Sequence, residues 1–454
     1  METAVEYLRQ HRKEHLNWTI ELCRIPSIST QEQHKADVRK AVEMTRDLCA
    51  KSGLKAEIHD TARHPLVYAE WCGAGPGAPT FLAYGHVDVQ PTGDLKLWDA
   101  GPFDPTIKGD WLVCRGSADD KGQVLLYVRA AAAWLATEKK LPINLKLLIE
   151  GEEEIGSPNL PKFVQDHKAL LKCDGILISD TGMHEDGLPT ITYGTRGLAY
   201  KEVILHGPKF NLHSGTHGGP VTNPANALAQ LIASFHDAAG RVNIPGFYDD
   251  VVDLTPQERK AAAALPMDER KYAEELGVPG FSGEKGYTVT ELRAMRPTLD
   301  VNGIYGGYMD KGANTIIPAT AGAKVSMRLV PNQRGDDIGA KFEKAVRERV
   351  PKTVRCEILD HSCADAYVTP LHWSAMKAAA RALREAFDRE PVFIREGGSL
   401  PILPMFERHL GAKCLMLGFA SPSCNAHGPN EKAYLPDLDR GAEAVARLFA
   451  HLAT

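Results

Sequence analysis

The nine cysteines are odd in number and scattered (Cys23, Cys49, Cys72, Cys114, Cys173, Cys356, Cys363, Cys414, Cys424), and no two stand in a C-x-x-C pair. That pattern offers no disulfide framework and reads as structural thiols in a reducing compartment. Cys114 and Cys173 lie in apolar stretches, where free cysteine behaves as a small hydrophobe, so no catalytic thiol is expected. Positive charge is not in excess: 53 Lys and Arg stand against 58 Asp and Glu, a net charge of −5. This removes the electrostatic case for nucleic acid or an anionic membrane as a partner. No uninterrupted apolar run reaches the roughly 18–20 residues of a membrane span. The opening Met1-Glu2-Thr3-Ala4-Val5-Glu6 is acidic rather than basic and then apolar, so no secretion signal is expected and the chain reads as cytoplasmic. Internal repeats and low-complexity segments are missing as well.

What is present is ordinary globular usage, 43% hydrophobic and 24% charged, enough for a large core. At 454 residues the chain exceeds what one core serves, since cores stop growing at roughly 250–300 residues, and two domains are expected. The first 60 residues read as two amphipathic helices parted by Ser29 and Thr30, which suit a cap and a turn. Short β-rich runs at 66–69, 80–84, 144–149 and 175–179 then alternate with helical segments such as 124–136. The alternation predicts an α/β layer with a mostly parallel sheet flanked by helices. Near residue 198 the character changes. Residues 198–205 alternate as a half-buried strand, a polar helical insertion covers roughly 255–276, another alternating strand 325–330, and a helix 337–349. Beyond Asp365 the first pattern returns, with a helix at 373–386 and a strand at 414–417. The expected organisation is a discontinuous first domain, 1–197 and 364–454, with an α+β domain, 198–363, inserted in it.

Several residues able to do chemistry fall at strand ends, where open α/β sheets bind their ligands. His86-Val87-Asp88 follows the apolar run 81–85. Neutral imidazole is the commonest metal ligand, and a carboxylate two residues on can orient its other ring nitrogen. Asp119 and Asp120 head an apolar helix beginning near Gln123. Acid at a helix start is favoured by the macrodipole, while the flanking Gly116 and Gly122 allow a tight loop near a ligand. Glu150, Glu152, Glu153 and Glu154 follow the strand 145–149; such a run is ordinarily a solvated face, yet it too lies at a strand end. Asp180 closes the run 176–179, and His427 sits in a loop after the strand 414–417. Together His86, Asp119, Glu154, Asp180 and His427 supply two imidazoles and three carboxylates. That set suits a pair of zinc or manganese ions, with one Asp able to bridge them. Two divalent cations would also offset the repulsion among the carboxylates.

The motifs Gly85-His86-Val87-Asp88-Val89, Ser117-Ala118-Asp119-Asp120-Lys121-Gly122, Glu153-Glu154-Ile155-Gly156-Ser157, Ser179-Asp180 and Ala426-His427-Gly428-Pro429-Asn430-Glu431 resemble, in order and over essentially the whole chain, those of the dinuclear zinc exopeptidases. That family includes carnosinases, bacterial dipeptidases, glutamate carboxypeptidases, acetylornithine deacetylases and succinyl-diaminopimelate desuccinylases. The resemblance implies a catalytic domain with an inserted lid and dimerisation domain. It also implies two divalent metal ions per subunit, zinc first, with manganese or cobalt as alternatives. Asp119 would bridge them, with His86 and Asp180 on one and Glu154 and His427 on the other. Glu153 would be the general base, and Asp88 would orient His86. Asp rather than Glu at position 180, and the long segment after Gly246-Phe247-Tyr248-Asp249-Asp250-Val251-Val252, resemble the carnosinase-like dipeptidase branch.

Leu212-His213-Ser214-Gly215-Thr216-His217-Gly218-Gly219 resembles the lid loop of that branch, which implies that His213 polarises the scissile carbonyl in the partner subunit of a homodimer. Many relatives carry Asp before the Leu-His pair, where this chain has Asn211. Residues 313–318 and 327–332 resemble further lid elements, implying that Arg328 holds the substrate's terminal carboxylate by a bidentate pair, with Asn314 and Thr315 as lesser contacts. The loop 395–401 resembles the Gly-Gly-Ser loop whose Gly397, Gly398 and Ser399 face the same carboxylate; Ser399 also suits a helix cap. The implied activity is hydrolysis of dipeptides. A deacylase or desuccinylase of N-acylated amino acids would share the metals, and a silent metal-binding scaffold would share the fold, although the intact Glu153 speaks against the latter.

Overall fold

The apolar runs of the first half become the middle of one sheet in the computed structural model, which describes residues 1–184 and 187–454. Asn144–Glu150, Thr80–His86, Gly175–Ile178 and Lys413–Met416 lie side by side in that order and run parallel. Strands covered on both faces read as continuous apolar runs rather than alternating ones, and every residue of Gly175–Ile178 is buried. Antiparallel strands are confined to the edges. Leu66–Trp71 pairs with Asn144–Glu150 and carries Lys55–His59 outside it, and Thr190–Thr195 pairs with Lys413–Met416 on the other side.

The helix Lys121–Glu138 crosses from Thr80–His86 to its parallel neighbour, and residues 121–134 are all buried. A helix apolar on every side needs cover on every side, which the helices Glu2–Gln10 and Leu435–Leu452 supply. It starts at Lys121, before the expected Gln123, with Asp120 at its N-cap. The N-terminal segment also departs from expectation. It holds three helices, Glu2–Gln10, Arg12–Cys23 and Lys35–Lys51, and the strand Lys55–His59. The first break falls at His11, whose backbone leaves the helical region (φ −98°, ψ 12°) while the apolar period runs on through it. Lys55–His59 is a mostly polar edge strand with a single neighbour, so it carries little hydrophobic signal.

By Cα proximity the chain divides into two units: Met1–Tyr193 with Thr369–Ile394 and Ile402–Thr454, and Gly194–Val368 with Arg395–Pro401. The second unit is built on an antiparallel sheet ordered Thr298–Gly306, Thr320–Leu329, Gly197–His206, Arg355–Ala364. Alternation turns Ala199, Val203, Leu205, Val325, Met327 and Leu329 toward the helices Pro224–Ala233 and Gly335–Arg349, where they pack with Leu228, Leu231, Ile338 and Phe342. Tyr200, Ser326 and Arg328 belong to the opposite, half-buried face. The insertion forms helices Pro256–Ala263, Glu269–Leu276 and Val289–Ala294, the first opened by a reciprocal cap between Thr255 and Glu258. Its own apolar core is small, Leu254, Ala262 and Met295. A buried ion pair helps hold it, with Arg296 donating to Glu284 at 2.8 and 2.9 Å and lying 4.2 Å over the Tyr287 ring. No described helix is long and apolar enough to cross a membrane.

Candidate metal centre

Parallel strands end along one edge of a sheet, so the residues that follow them converge. His86 is the last residue of its strand, Glu153 and Glu154 open a tight turn after Glu150, and Asp180 follows Gly175–Ile178. Asp119 reaches the same edge from the loop that precedes helix Lys121–Glu138. Two glycines make this geometry feasible. A Cβ on Gly85 would lie 2.6 Å from both Asp120 Oδ2 and Val124 Cγ2, so only glycine lets the helix approach the strand so closely, and Gly116 takes a φ of +81° that other residues rarely adopt.

Asp119 sits between the two imidazoles. Its Oδ1 lies 3.2 Å from His86 Nε2, and its Oδ2 lies 2.8 Å from His427 Nε2. Asp180 Oδ2 stands 3.8 Å from His86 Nε2 and Glu154 Oε2 stands 3.5 Å from His427 Nε2. The structure therefore brings all five sequence candidates into two groups that share Asp119, with His86 and Asp180 on one side and Glu154 and His427 on the other.

His86 tests whether metal ions fit. Its Nδ1 donates to the Asp88 main-chain carbonyl at 3.0 Å; a carbonyl only accepts, so a neutral ring has its lone pair on Nε2. That atom is buried, has no well-formed hydrogen bond, and faces two carboxylates. Positive charge is required there. Burial opposes a protonated ring, but the adjacent carboxylates of Asp119 and Asp88, then the charges of Asp180 and Glu153, outweigh it and hold the imidazole well above its ordinary range. The carboxyls show the same demand. Burial, then the neighbouring charges, raises Asp180 well above the carboxylate range, and burial followed by the Asp119 charge pushes Glu154 up to about 7. Burial also raises Asp119, but its bonds to His427 and His86 prevail and hold it below that range. Two divalent cations would satisfy every one of these groups, and the nitrogen and oxygen donors suit them.

Glu153 stands beside the cluster, and among the described residues its carboxylate receives no hydrogen bond; burial raises its carboxyl. Asp88 differs from expectation. Its main-chain oxygen, not its carboxylate at 3.5 Å, makes the close contact with His86 Nδ1. The carboxylate instead accepts the N–H groups of Glu153 at 3.1 Å and Glu154 at 3.0 Å, setting the turn that carries both glutamates.

Sequence reasoning missed the residues that hold these ligands in place. Glu431 is fully buried and accepts from Arg115 Nη1 at 2.7 Å and from the N–H groups of Gly116, Ala118 and Asp119 at 3.0, 3.0 and 3.1 Å. Arg115 also donates to the His427 carbonyl at 2.9 Å, steadying a residue whose φ of 62° is left-handed and strained. Gln90 donates to Glu154 Oε2 at 2.7 Å, and Glu152 accepts from His64 N at 2.6 Å and Thr61 Oγ1 at 2.7 Å. The only sequence signal was their presence inside or beside the motifs.

The remaining candidates lie in the second unit. Arg328 Nη1 donates to Ser399 Oγ at 3.1 Å, and the carbonyls of Gly397 and Gly398 each accept from Arg196 at 3.0 Å, the first from its Nε and the second from its main-chain N. His213 is exposed, its Nδ1 accepting from Gly215 N at 3.0 Å, on a short ribbon where Leu212–His213 pairs with Ile316–Ile317. Asn314 and Thr315 are exposed at the same ribbon. Asn211 accepts from Ala319 N at 2.9 Å and so fastens the ribbon.

Residues 82–451 match the model of Peptidase family M20/M25/M40. The chain belongs to peptidase family M20. It is 30% identical over 475 residues to the Beta-Ala-His dipeptidase of Homo sapiens, an alignment spanning 100% of this chain and 93% of that one. It is also 30% identical over 452 residues to the Cys-Gly metallodipeptidase dug1 of Schizosaccharomyces pombe, spanning 95% and 94%. Among solved structures it superposes on the M20 family metallo-carboxypeptidase Sso-CP2 of Sulfolobus solfataricus with a TM-score of 0.85, 32% identity and coverage of 97% and 99%. Human carnosine dipeptidase 1 gives 0.80, 28% identity and coverage of 100% and 98%. M20 membership makes the chain a metallopeptidase and implies metal ions, for which the cluster around Asp119 has the right donors.

Proposed function

We propose that this M20 chain hydrolyses dipeptides with a free C-terminal carboxylate at a two-metal centre, in which Asp119 is shared, His86 and Asp180 hold one ion, and Glu154 and His427 hold the other. The observation that carries the reading is the position of Asp119, with one oxygen 3.2 Å from His86 and the other 2.8 Å from His427. Divalent ions bound there, zinc in the first instance, polarise a carbonyl and lower the pKa of water. Glu153, whose carboxylate receives no hydrogen bond among the described residues and whose carboxyl pKa is raised by burial, takes the proton of the attacking water and delivers it to the leaving amine. Arg328 and the Gly397-Gly398-Ser399 loop receive the terminal carboxylate, with Asn314 and Thr315 as further contacts. His213 of the partner subunit in a homodimer donates to the carbonyl oxygen as charge builds on it; its exposure in the single chain leaves it available for that role.

The test is release of free amino acids from a mixed dipeptide pool, with and without a chelator and after zinc is restored. Chelator-sensitive release that zinc recovers is expected. Turnover of N-acyl amino acids alone would assign the chain to the deacylases, and no turnover of any amide by metal-loaded protein would make it a scaffold.

A further inference from the structure

Arg196 has no part in the reaction above, yet it grips the same loop as Arg328. Its Nε donates to the Gly397 carbonyl at 3.0 Å, while Arg328 Nη1 donates to Ser399 Oγ at 3.1 Å. Arg328 pairs across the sheet with Leu198 on one side and Thr298 on the other. Residues paired in this way share a face, so the two guanidiniums flank one end of the half-buried face. Among the described residues neither has a carboxylate within ion-pairing distance. Asp300, two positions along from Thr298, accepts the Thr298 hydroxyl at 2.9 Å instead. Asp300 is thus the carboxylate whose charge acts on Arg196, without forming a salt bridge to it. Burial, then repulsion from Arg328, lowers Arg196 to about 10, so it remains charged at neutral pH.

Arg196 also lines a cavity of about 930 Å³, together with Thr298, Asp300, Leu276, Phe281 and Leu292. Among the described residues the Nη groups of Arg196 make no hydrogen bond. We propose that Arg196 is the second cation of the carboxylate-recognising face and that this cavity receives the side chain of the substrate's C-terminal residue, so that a dipeptide ending in Asp or Glu is taken in preference to one ending in Gln or Lys. The terminal carboxylate lies on Arg328 and the side-chain carboxylate on Arg196, each suited to a bidentate pair. This inference rests on the dipeptide reading above.

Steady-state kinetics on Ala-Glu, Ala-Gln and Ala-Lys, with the wild type, Arg196→Met and Arg196→Lys, tests it. In the wild type the KM for Ala-Glu should be lower than for Ala-Gln by about tenfold or more, as for one charged hydrogen bond, at similar kcat. Arg196→Met should erase that difference, with whatever the lost Gly397 contact costs falling alike on Ala-Gln and Ala-Lys, and Arg196→Lys should keep part of it. Equal loss on all three substrates would confine Arg196 to holding the loop and overturn the proposal, as would a wild type that does not distinguish Glu from Gln. Thermal stabilisation by free L-glutamate over L-glutamine, lost in Arg196→Met, reads the same subsite without turnover. A protein that binds glutamate in this way but cleaves no dipeptide would refute the dipeptide reading and uphold the subsite.

Discussion

Replacing Glu431 with glutamine removes one charge from a carboxylate that is 0% exposed and accepts from Arg115 and from the N–H groups of Gly116, Ala118 and Asp119. Every partner is a donor. The glutamine NH₂ must therefore face a donor, so part of the network is lost, and Arg115 is left buried without a counter-charge. Hydrogen bonds to a charged group contribute about 1.5–3 kcal/mol each, and breaking a buried pair by removing one partner costs about 3–5 kcal/mol. The two losses share one carboxylate and do not add, so a destabilisation of about 3–5 kcal/mol is expected. Part of it reaches the metal site, because Asp119 loses its anchor and the Arg115 that holds the His427 carbonyl loses its own. Outer contacts of this kind change metal affinity by about 10–100-fold. Zinc titration against a competing chromophoric chelator, with thermal unfolding alongside, measures both effects. A second variant separates them. Arg115→Met with Glu431→Leu removes the stranded charge but leaves the three N–H groups without an acceptor, so it should recover at most part of the stability and none of the zinc affinity. An E431Q protein that bound zinc as tightly as its parent would refute the argument that this carboxylate positions Asp119.

Glu153→Gln should lower kcat by about 10²–10⁴-fold with metal content unchanged; metal loss of the same size would mean that Glu153 is a ligand rather than the base. His15 is 1% exposed, and burial followed by the charge of Arg129 lowers its imidazole to about 3, against about 6.5 unfolded. The unfolded chain therefore takes up this proton first. The contribution of neutral His15 is full above about pH 6.5 and is lost as pH falls from there toward about 3, at no more than about 1.4 kcal/mol per pH unit. Below about pH 6.5 the urea midpoint should fall more steeply with pH for the wild type than for His15→Phe, and parallel pH profiles would count against the argument. Arg296→Met leaves the buried Glu284 with Arg241 Nη1 at 3.5 Å as its counter-charge, an expected loss toward the low end of about 3–5 kcal/mol, read as faster hydrogen exchange in residues 255–297; unchanged exchange there would show that the pair is not what holds the insertion.

The strand ends were legible because a continuous apolar run followed by an acid or a histidine is visible locally, and His86, Asp119, Glu154, Asp180 and His427 each follow such a run or head an apolar helix. Their convergence needed only the rule that parallel strands end on one edge. What stayed hidden is the framework that aims them. Glu431 lies more than 300 positions from Arg115 and Asp119 (|i−j| of 316 and 312), and a glutamate in a loop gives no local sign that it is buried. Asp88 shows the same limit, since its residue type was informative but the division of labour between its carbonyl and its carboxylate depends on where the Glu153 turn passes. The break at His11 was masked by an apolar period that does not pause there. Arg196 went unnoticed because a single arginine between two strands looks like any surface residue.

The placement of Lys413–Met416 between Gly175–Ile178 and Thr190–Thr195 also sets an order of assembly. A growing chain makes both neighbours long before it makes the strand that belongs between them, so the apolar edge of Gly175–Ile178 stays open while more than 200 further residues are synthesised. Such an edge invites pairing with other chains. Only when Lys413–Met416 emerges can it be sealed, and the segment that follows delivers His427 to Asp119, so the nascent enzyme gains its last candidate ligand only after that strand is available.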